Sequence, residues 1–193
     1  PMSPRTKQQF EVIRESRKKE ILDTALELFA NEGFYATSIS NIASKAGISK
    51  GLLYNYFDSK EDLIKTIIFN GLDNLTSFVD PNKDGFLTRD ELKYFLEEMF
   101  KALKNEPLYW KLYFTMFMQP QVLKLVEKRL AVMVHKYLMM LSEYFTSSGY
   151  KDPETEAIFF GALLDGIGFQ FMVDPEHFPL EKVKNKLINM YCK

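Results

Sequence analysis

Two stretches of this 193-residue chain carry side chains whose types and spacing suit chemistry. In Asp80-Pro81-Asn82-Lys83-Asp84-Gly85-Phe86-Leu87-Thr88-Arg89-Asp90-Glu91, oxygen donors recur along a twelve-residue loop. Asp80, Asn82, Asp84, the Phe86 carbonyl and a bidentate Glu91 are a hard-ligand set for Ca2+, with Gly85 for the sharp turn and Leu87 directed inward. The same residues also make ordinary turns. Asp80-Pro81 and Asp84-Gly85 are turn dipeptides, and Thr88 with Glu91 makes a helix capping box. The second stretch, Ser49-Lys50-Gly51-Leu52-Leu53-Tyr54-Asn55, combines smallness with reach. Ser49 and Gly51 let a backbone approach base edges, while Lys50, Tyr54 and Asn55 can extend hydrogen-bonding groups toward DNA.

Catalytic chemistry has no comparable signal. The two histidines, His135 and His177, stand in a long helix and after an Asp174-Pro175 break with no nucleophile or acid–base partner patterned around them, so an enzyme is not expected. The single cysteine, Cys192, excludes an intrachain disulfide and a cysteine-based zinc cluster, which fits a reducing cytosol. A composition of 46% hydrophobic and 26% charged residues is that of a globular chain, which excludes disorder as the default. Net charge is −1, so overall electrostatics does not announce nucleic acid. Locally, however, Arg5, Lys7, Arg14, Arg17, Lys18 and Lys19 face only Glu11 and Glu15. That excess reads either as a basic arm for phosphates or as a solvated helix face. Apolar runs such as Leu112 to Met118 fall well short of the roughly 20 residues that span a bilayer. A cytoplasmic protein with no membrane partner is therefore expected.

These residues must be positioned by helices. No segment shows sustained alternation, whereas apolar spacing of three and four recurs from residue 21 onward, giving an all-α chain of about nine helices. Ile21, Leu22, Ala25, Leu26 and Phe29 form the buried stripe of a first helix that ends at Gly33. Ile39, Ile42, Ala43 and Ala46 repeat it over a short second helix, with Thr37 as its expected N-cap. Gly47 breaks the chain, and Ser49 caps a third helix that turns Leu53, Tyr56 and Phe57 inward. Longer helices follow: a fourth along Leu63 to Leu75, a fifth along Leu92 to Leu103, and a sixth over Leu108 to Met118, apolar on nearly every side. Pro120 closes that one, and a seventh runs from Gln121 to about Thr146. Pro153 and Pro179 are placed as first-turn prolines of an eighth and a ninth. The expected organisation is a three-helix head, residues 1–57, on a helical bundle, residues 58–193.

The literal string goes further than periodicity. Gly33-Phe34-Tyr35-Ala36-Thr37-Ser38-Ile39, Ile42-Ala43, Ala46-Gly47-Ile48-Ser49-Lys50-Gly51-Leu52-Leu53-Tyr54-Asn55-Tyr56-Phe57 and Ser59-Lys60-Glu61-Asp62-Leu63 closely resemble the helix-turn-helix head of TetR-type transcriptional regulators. By motif the resemblance covers about residues 11 to 64; beyond that it rests on helix count, order and length. It implies Thr37 and Ser38 at the start of the second helix, Tyr54, Tyr56 and Lys60 on phosphates, and Lys50, Leu52 and Asn55 toward bases. Leu52 departs from the small polar residue the family often has there, so it either meets a thymine methyl or packs sideways.

The resemblance also implies double-stranded operator DNA as partner, a homodimer through helices 8 and 9, no required cofactor, and a repressor released by a small apolar or amphipathic inducer. Ala157, Gly161, Ala162, Gly166 and Gly168 are the small residues expected to admit a second helix. Trp110, Tyr113, Phe114, Met116, Phe117, Met118, Met133, Tyr137 and Met140 are candidates to line the inducer pocket, and equally candidates for plain core. The rival reading is a calcium-binding helical sensor built on the EF-hand-like loop at residues 80–91, which leaves the string from Gly33 to Leu63 unexplained.

Overall fold

The computed structural model describes residues 6–192, apart from the side chains of Met116 and Phe117. Among the described residues every regular element is helical: α1 (Lys7–Glu32), α2 (Ile39–Lys45), α3 (Lys50–Tyr54), α4 (Lys60–Thr76), α5 (Arg89–Asn105), α6 (Pro107–Phe117), α7 (Pro120–Ser147), α8 (Pro153–Val173) and α9 (Leu180–Tyr191). The chain divides into two compact units, Pro1–Phe69 and Asn70–Lys193. The division falls inside α4, whose Leu63, Ile64, Ile67 and Ile68 are buried and belong to the first unit.

In the first unit Ile21, Ala25, Leu28 and Phe29 of α1 pack with Phe34, Ile42, Ala43, Leu53 and Phe57. Gly33 ends α1 at φ 86°, and Gly47 turns α2 into α3 at φ 66°, both in the left-handed region that glycine enters without steric cost. α1 begins fourteen positions ahead of its first buried residue, Ile21, because a capping box between Thr6 and Gln9 starts it there. That early segment is the solvated helix face rather than a free arm: residues 6–16 are all exposed, and Arg17 and Lys19 pair with Glu20 and Asp23. Ser38, not Thr37, caps α2, its hydroxyl accepting from Asn41 N at 3.1 Å. Likewise Pro120 opens α7 in addition to closing α6, and Pro179 stands at the N-cap of α9 rather than in its first turn.

In the second unit α7 and α8 pack along one another most extensively, α6 packs against both, and α5 packs against α6 and α9. Phe145, Phe160 and Tyr191 form a ring cluster at one end, and Tyr144 there donates its hydroxyl to the Tyr191 carbonyl at 2.6 Å. Arg129 of α7 grips both carboxylate oxygens of Asp73 at 2.7 Å. The sixth helix is less enclosed than expected: Tyr109, Trp110 and Leu112 are buried, but Leu108 and Met118 face outward.

The small residues of α8 split between two sides. Ala157 and Gly168 face inward with Phe160, and a Cβ on Gly168 would come within 3.0 Å of Phe114. Ala162 and Gly166 face outward with Ile158, Phe159, Phe169 and Val173. The expectation that no stretch reaches membrane-spanning length fails here. α8 is 21 residues long with mean hydropathy 1.4, and only 17% of that window is buried in this chain. Scanning for contiguous apolar runs missed it because glycines and Asp165 interrupt the sequence without interrupting the helix.

Gly71 in α4 lies under Tyr109 so closely that a Cβ would land on the phenol ring. Alanine within a helix ordinarily stabilises by about 0.5–1 kcal/mol over glycine, but overpacking costs about 1–3 kcal/mol. Gly71→Ala is therefore expected to lower the midpoint of urea unfolding at unchanged slope; an unchanged or raised midpoint would mean Tyr109 yields freely.

Candidate functional site

α3 is a five-residue helix, and what it presents is decided by its single buried residue, Leu53. With Leu53 and Phe57 in the core, Lys50, Gly51, Leu52, Tyr54 and Asn55 are exposed. Ser49 caps the helix by accepting from Leu52 N at 3.1 Å, so its hydroxyl is engaged while its position remains at the surface. Leu52 is 38% and Tyr54 45% exposed, leaving a leucine edge and a phenol on one outward face with the Lys50 ammonium and the Asn55 amide. Nothing within 4 Å meets a Cβ added to Gly51, so smallness there serves an outside approach rather than internal packing. This is an outward face of donors, acceptors and one apolar edge, suited in size to a major groove.

Around it the predicted residues separate. Ser38 is exposed at the start of α2. Thr37 leaves the set of candidate contacts: it is fully buried, and its hydroxyl donates to the Gly33 carbonyl at 2.9 Å. Tyr56 is half-buried, with the Arg14 guanidinium 6.0 Å from its ring centre. Lys60 is tied inward. Its ammonium donates to the carbonyls of Phe34 at 2.8 Å and Thr37 at 3.0 Å and sits 4.4 Å from the centre of the Phe34 ring. One N–H remains for a phosphate, so the side chain first of all holds the α1–α2 loop. Two carbonyls beside a basic side chain carry no sequence pattern, which is why the string alone misses this role.

The second unit holds a cavity of about 250 Å³ among α4, α5, α6, α7 and α8, beside a second of about 180 Å³ with which it shares Leu72, Leu75, Trp110 and Tyr137 as lining residues. Trp110, Tyr113, Met133 and Tyr137 line it as expected. Phe114 does not; it stacks on Trp110 and meets Phe169 edge-on. Met140 is core, Met118 is exposed, and the side chains of Met116 and Phe117 lie outside the described residues. Sequence reasoning missed the walls from α4 and α5, Leu72, Leu75, Phe95 and Met99, whose helical spacing looks the same whether the far side is protein or void. It also missed Asp165 at the mouth, where burial pushes the carboxyl up and a bond from the Tyr113 hydroxyl pulls it back.

The oxygen-rich loop does not assemble the cage its spacing predicts. Glu91 Oε2 accepts from Thr88 N at 2.9 Å and Thr88 Oγ1 at 2.6 Å, completing the capping box of α5. Asp84 accepts from Phe86 N at 2.8 Å and from the Asn82 amide at 3.0 Å, and Asp80 accepts from Gly85 N at 3.5 Å with Lys136 Nζ 3.8 Å away. The Phe86 side chain projects outward and Leu87 is buried. Asn82 and Asp84 oxygens serve the turn and Glu91 Oε2 the cap, and among the described residues no group of three His, Cys, Asp or Glu is placed to hold a metal ion.

Known proteins resemble the head most strongly and, more weakly, most of the chain. The family model for bacterial regulatory proteins of the tetR family matches residues 21–67. An uncharacterized HTH-type transcriptional regulator, YfiR of Bacillus subtilis (strain 168), is 25% identical over 174 residues, 86% of this chain and 83% of the relative. The HTH-type transcriptional repressor KstR2 of Rhodococcus jostii (strain RHA1) is 45% identical over 62 residues, 32% of this chain and 30% of that protein. In three dimensions, a putative transcriptional regulator from Pseudomonas aeruginosa PAO1 superposes with a TM-score of 0.74 at 20% identity, covering 92% of this chain and 89% of the other. That last likeness is one of fold.

Methionine in place of Lys60 keeps the aliphatic stem and leaves the Phe34 and Thr37 carbonyls without their donor. Lys60→Met is expected to cost about 1–3 kcal/mol of stability, with faster amide exchange from 33 to 42 in hydrogen-exchange measurements. Unchanged exchange there would show that the ammonium does not hold the loop.

Proposed function

We infer that this chain, a TetR-type transcriptional regulator, acts as a repressor: a homodimer that reads operator DNA with α3 and leaves it when an apolar effector fills the α4–α8 cavity. The observation that carries the DNA reading is the outward face of α3, where Leu53 and Phe57 anchor the helix and every other residue from Lys50 to Asn55 is exposed. On it Lys50, Leu52 and Asn55 face bases. Tyr54, Ser38, Ser49 and the free edge of Tyr56 lie on phosphates, and Gly51 lets the backbone come close. Lys60 contributes chiefly by holding the loop that positions α2.

A five-residue recognition helix buries too little surface for operator affinity alone, and a two-fold dimer on a palindromic site doubles it. The outward face of α8, with Ala162 and Gly166 among Ile158, Phe159 and Phe169, supports a second copy seated against α8 and α9. The cavity supports the effector role, and α4 supports its coupling: Leu72 and Leu75 line the void on the same helix whose first residue is Lys60. An effector that shifts α4 acts on both. Repression is the activity named for one relative, KstR2, and is taken over here on the strength of the shared head. The site of action is the cytoplasm, where the operator is.

Fluorescence anisotropy against DNA upstream of the chain's own coding region, across a salt series with calcium or with chelator, tests this reading. Specific binding that weakens steeply with salt and ignores calcium is expected. Asn55→Ala should lose about 1–3 kcal/mol on the preferred sequence and little on unrelated DNA. Uniform loss on all sequences would remove Asn55 from base reading, and the absence of specific binding to any promoter fragment would sink the regulator mechanism.

A further inference from the structure

The effector cavity carries one formal charge on its wall, the carboxylate of Asp165. Among the described residues no lysine, arginine or histidine lines it or the cavity beside it, so the walls offer that carboxylate no countercharge. Asp165 is reachable from both sides: it lines the void and is exposed to solvent on α8. The Tyr113 hydroxyl, also on the cavity wall, donates a hydrogen bond to it. A carboxylate has about four acceptor positions, so one donor leaves most of them open. Burial still holds the Asp165 carboxyl above the usual carboxylate range, and the bond from Tyr113 offsets only part of that effect. The neighbouring wall is aromatic: Trp110 and Tyr113 line the same space and meet edge-on at 5.6 Å. A carboxylate and aromatic rings attract the same kind of guest, a positive charge on an apolar body.

We propose that the effector is an amphipathic organic cation, an amine or quaternary ammonium on an apolar body, whose positive group pairs with Asp165 while the body fills the cavity. This rests on the effector role given to the cavity above and adds the charge of what fills it. The pairing offsets the cost of holding a carboxylate at the edge of an apolar space, since an opposite charge within about 4–6 Å favours the ionised form. The cation keeps part of its hydration, because Asp165 stands where the void meets solvent. Space suffices for the body, since apolar cavities of about 150 Å³ admit benzene and this one is about 250 Å³. An anionic effector meets the opposite conditions, a like charge at the entrance and no cation on the wall to replace its lost hydration.

The test uses the full chain and three probes of similar shape: benzyltrimethylammonium, the neutral alcohol dimethyl benzyl carbinol, and phenylmethanesulfonate. Calorimetric titration gives the affinities, and the fluorescence of Trp110, the chain's single tryptophan and part of the cavity wall, reports filling of the void. At low ionic strength the cation is expected to bind roughly tenfold more tightly than the alcohol, with the sulfonate weakest. Added salt should shrink that advantage. Asp165→Asn, which keeps the shape and an acceptor for Tyr113, should erase the cation's advantage and leave the alcohol's affinity unchanged. Equal binding of cation and alcohol by the wild type, or an advantage that survives Asp165→Asn, overturns the pairing while leaving the cavity reading intact. Tightest binding by the sulfonate overturns the charge selection. Binding by none of the three overturns the effector role of the cavity itself. The wild-type comparison alone decides these outcomes should the substituted chain fail to fold.

Discussion

A single ammonium group organises the head. Lys60 stands at the first residue of α4 and reaches back to the carbonyls of Phe34 and Thr37, across the ring of Phe34. Those carbonyls belong to the segment between α1 and α2, which has no helix of its own to satisfy them. With the loop fixed, Thr37 is fully buried and Ser38 is left in position to cap α2. α2 and the Gly47 turn then fix α3, whose Leu53 must reach the core for Lys50 and Asn55 to face outward. A charge-assisted bond to a carbonyl is stronger than a neutral one, so one side chain fastens two carbonyls of this loop to the start of α4.

The second unit solves a different problem, how to remain folded around a void. Aromatic contacts at the Phe145, Phe160 and Tyr191 end and the Arg129 grip on Asp73 are independent of the cavity. Gly71 allows Tyr109 to close against α4 without a side chain between them. The fully buried Phe145 and Phe160 belong to a core beside the space lined by Leu72, Phe95, Met99 and Tyr137, which stays open. Its walls are mostly leucine, methionine and aromatic side chains, which can change rotamer to suit a ligand at low cost.

Helix order, the buried stripes and the face of α3 were legible in the sequence because each depends on spacing within one element. Leu53 and Phe57 as anchors follow from a period of 3.6 residues alone. What spacing could not show were relations between elements. Thr37 and Ser38 are both good N-caps by type, and only the fold tells which hydroxyl sits at the end of the helix. Lys60 reads as a phosphate contact until Phe34 and Thr37 are brought to it. The loop at residues 80–91 left two readings open in the sequence, a calcium site by its oxygen spacing and a turn with a cap by Thr88 and Glu91, and in the fold the cap holds Glu91. Local hydrogen bonds inside one turn prevailed over a pattern that requires convergence on a common centre.

α8 shows where composition misleads most. By length and hydropathy it could cross a bilayer, and little of it is buried in this chain. Yet Asp165 lies near its midpoint, where a carboxylate in a bilayer would cost about 2.5–3.5 kcal/mol on insertion scales, and Glu154 and Glu156 crowd its first turn. One side of the same helix is already committed, with Ala157, Phe160 and Gly168 in the core and Gly161 and Leu164 on the cavity wall. A helix surrounded by lipid has no use for two such different sides. In the proposed dimer both are used, because the outward face with Ala162 and Gly166 meets a second copy while the inner face encloses the effector.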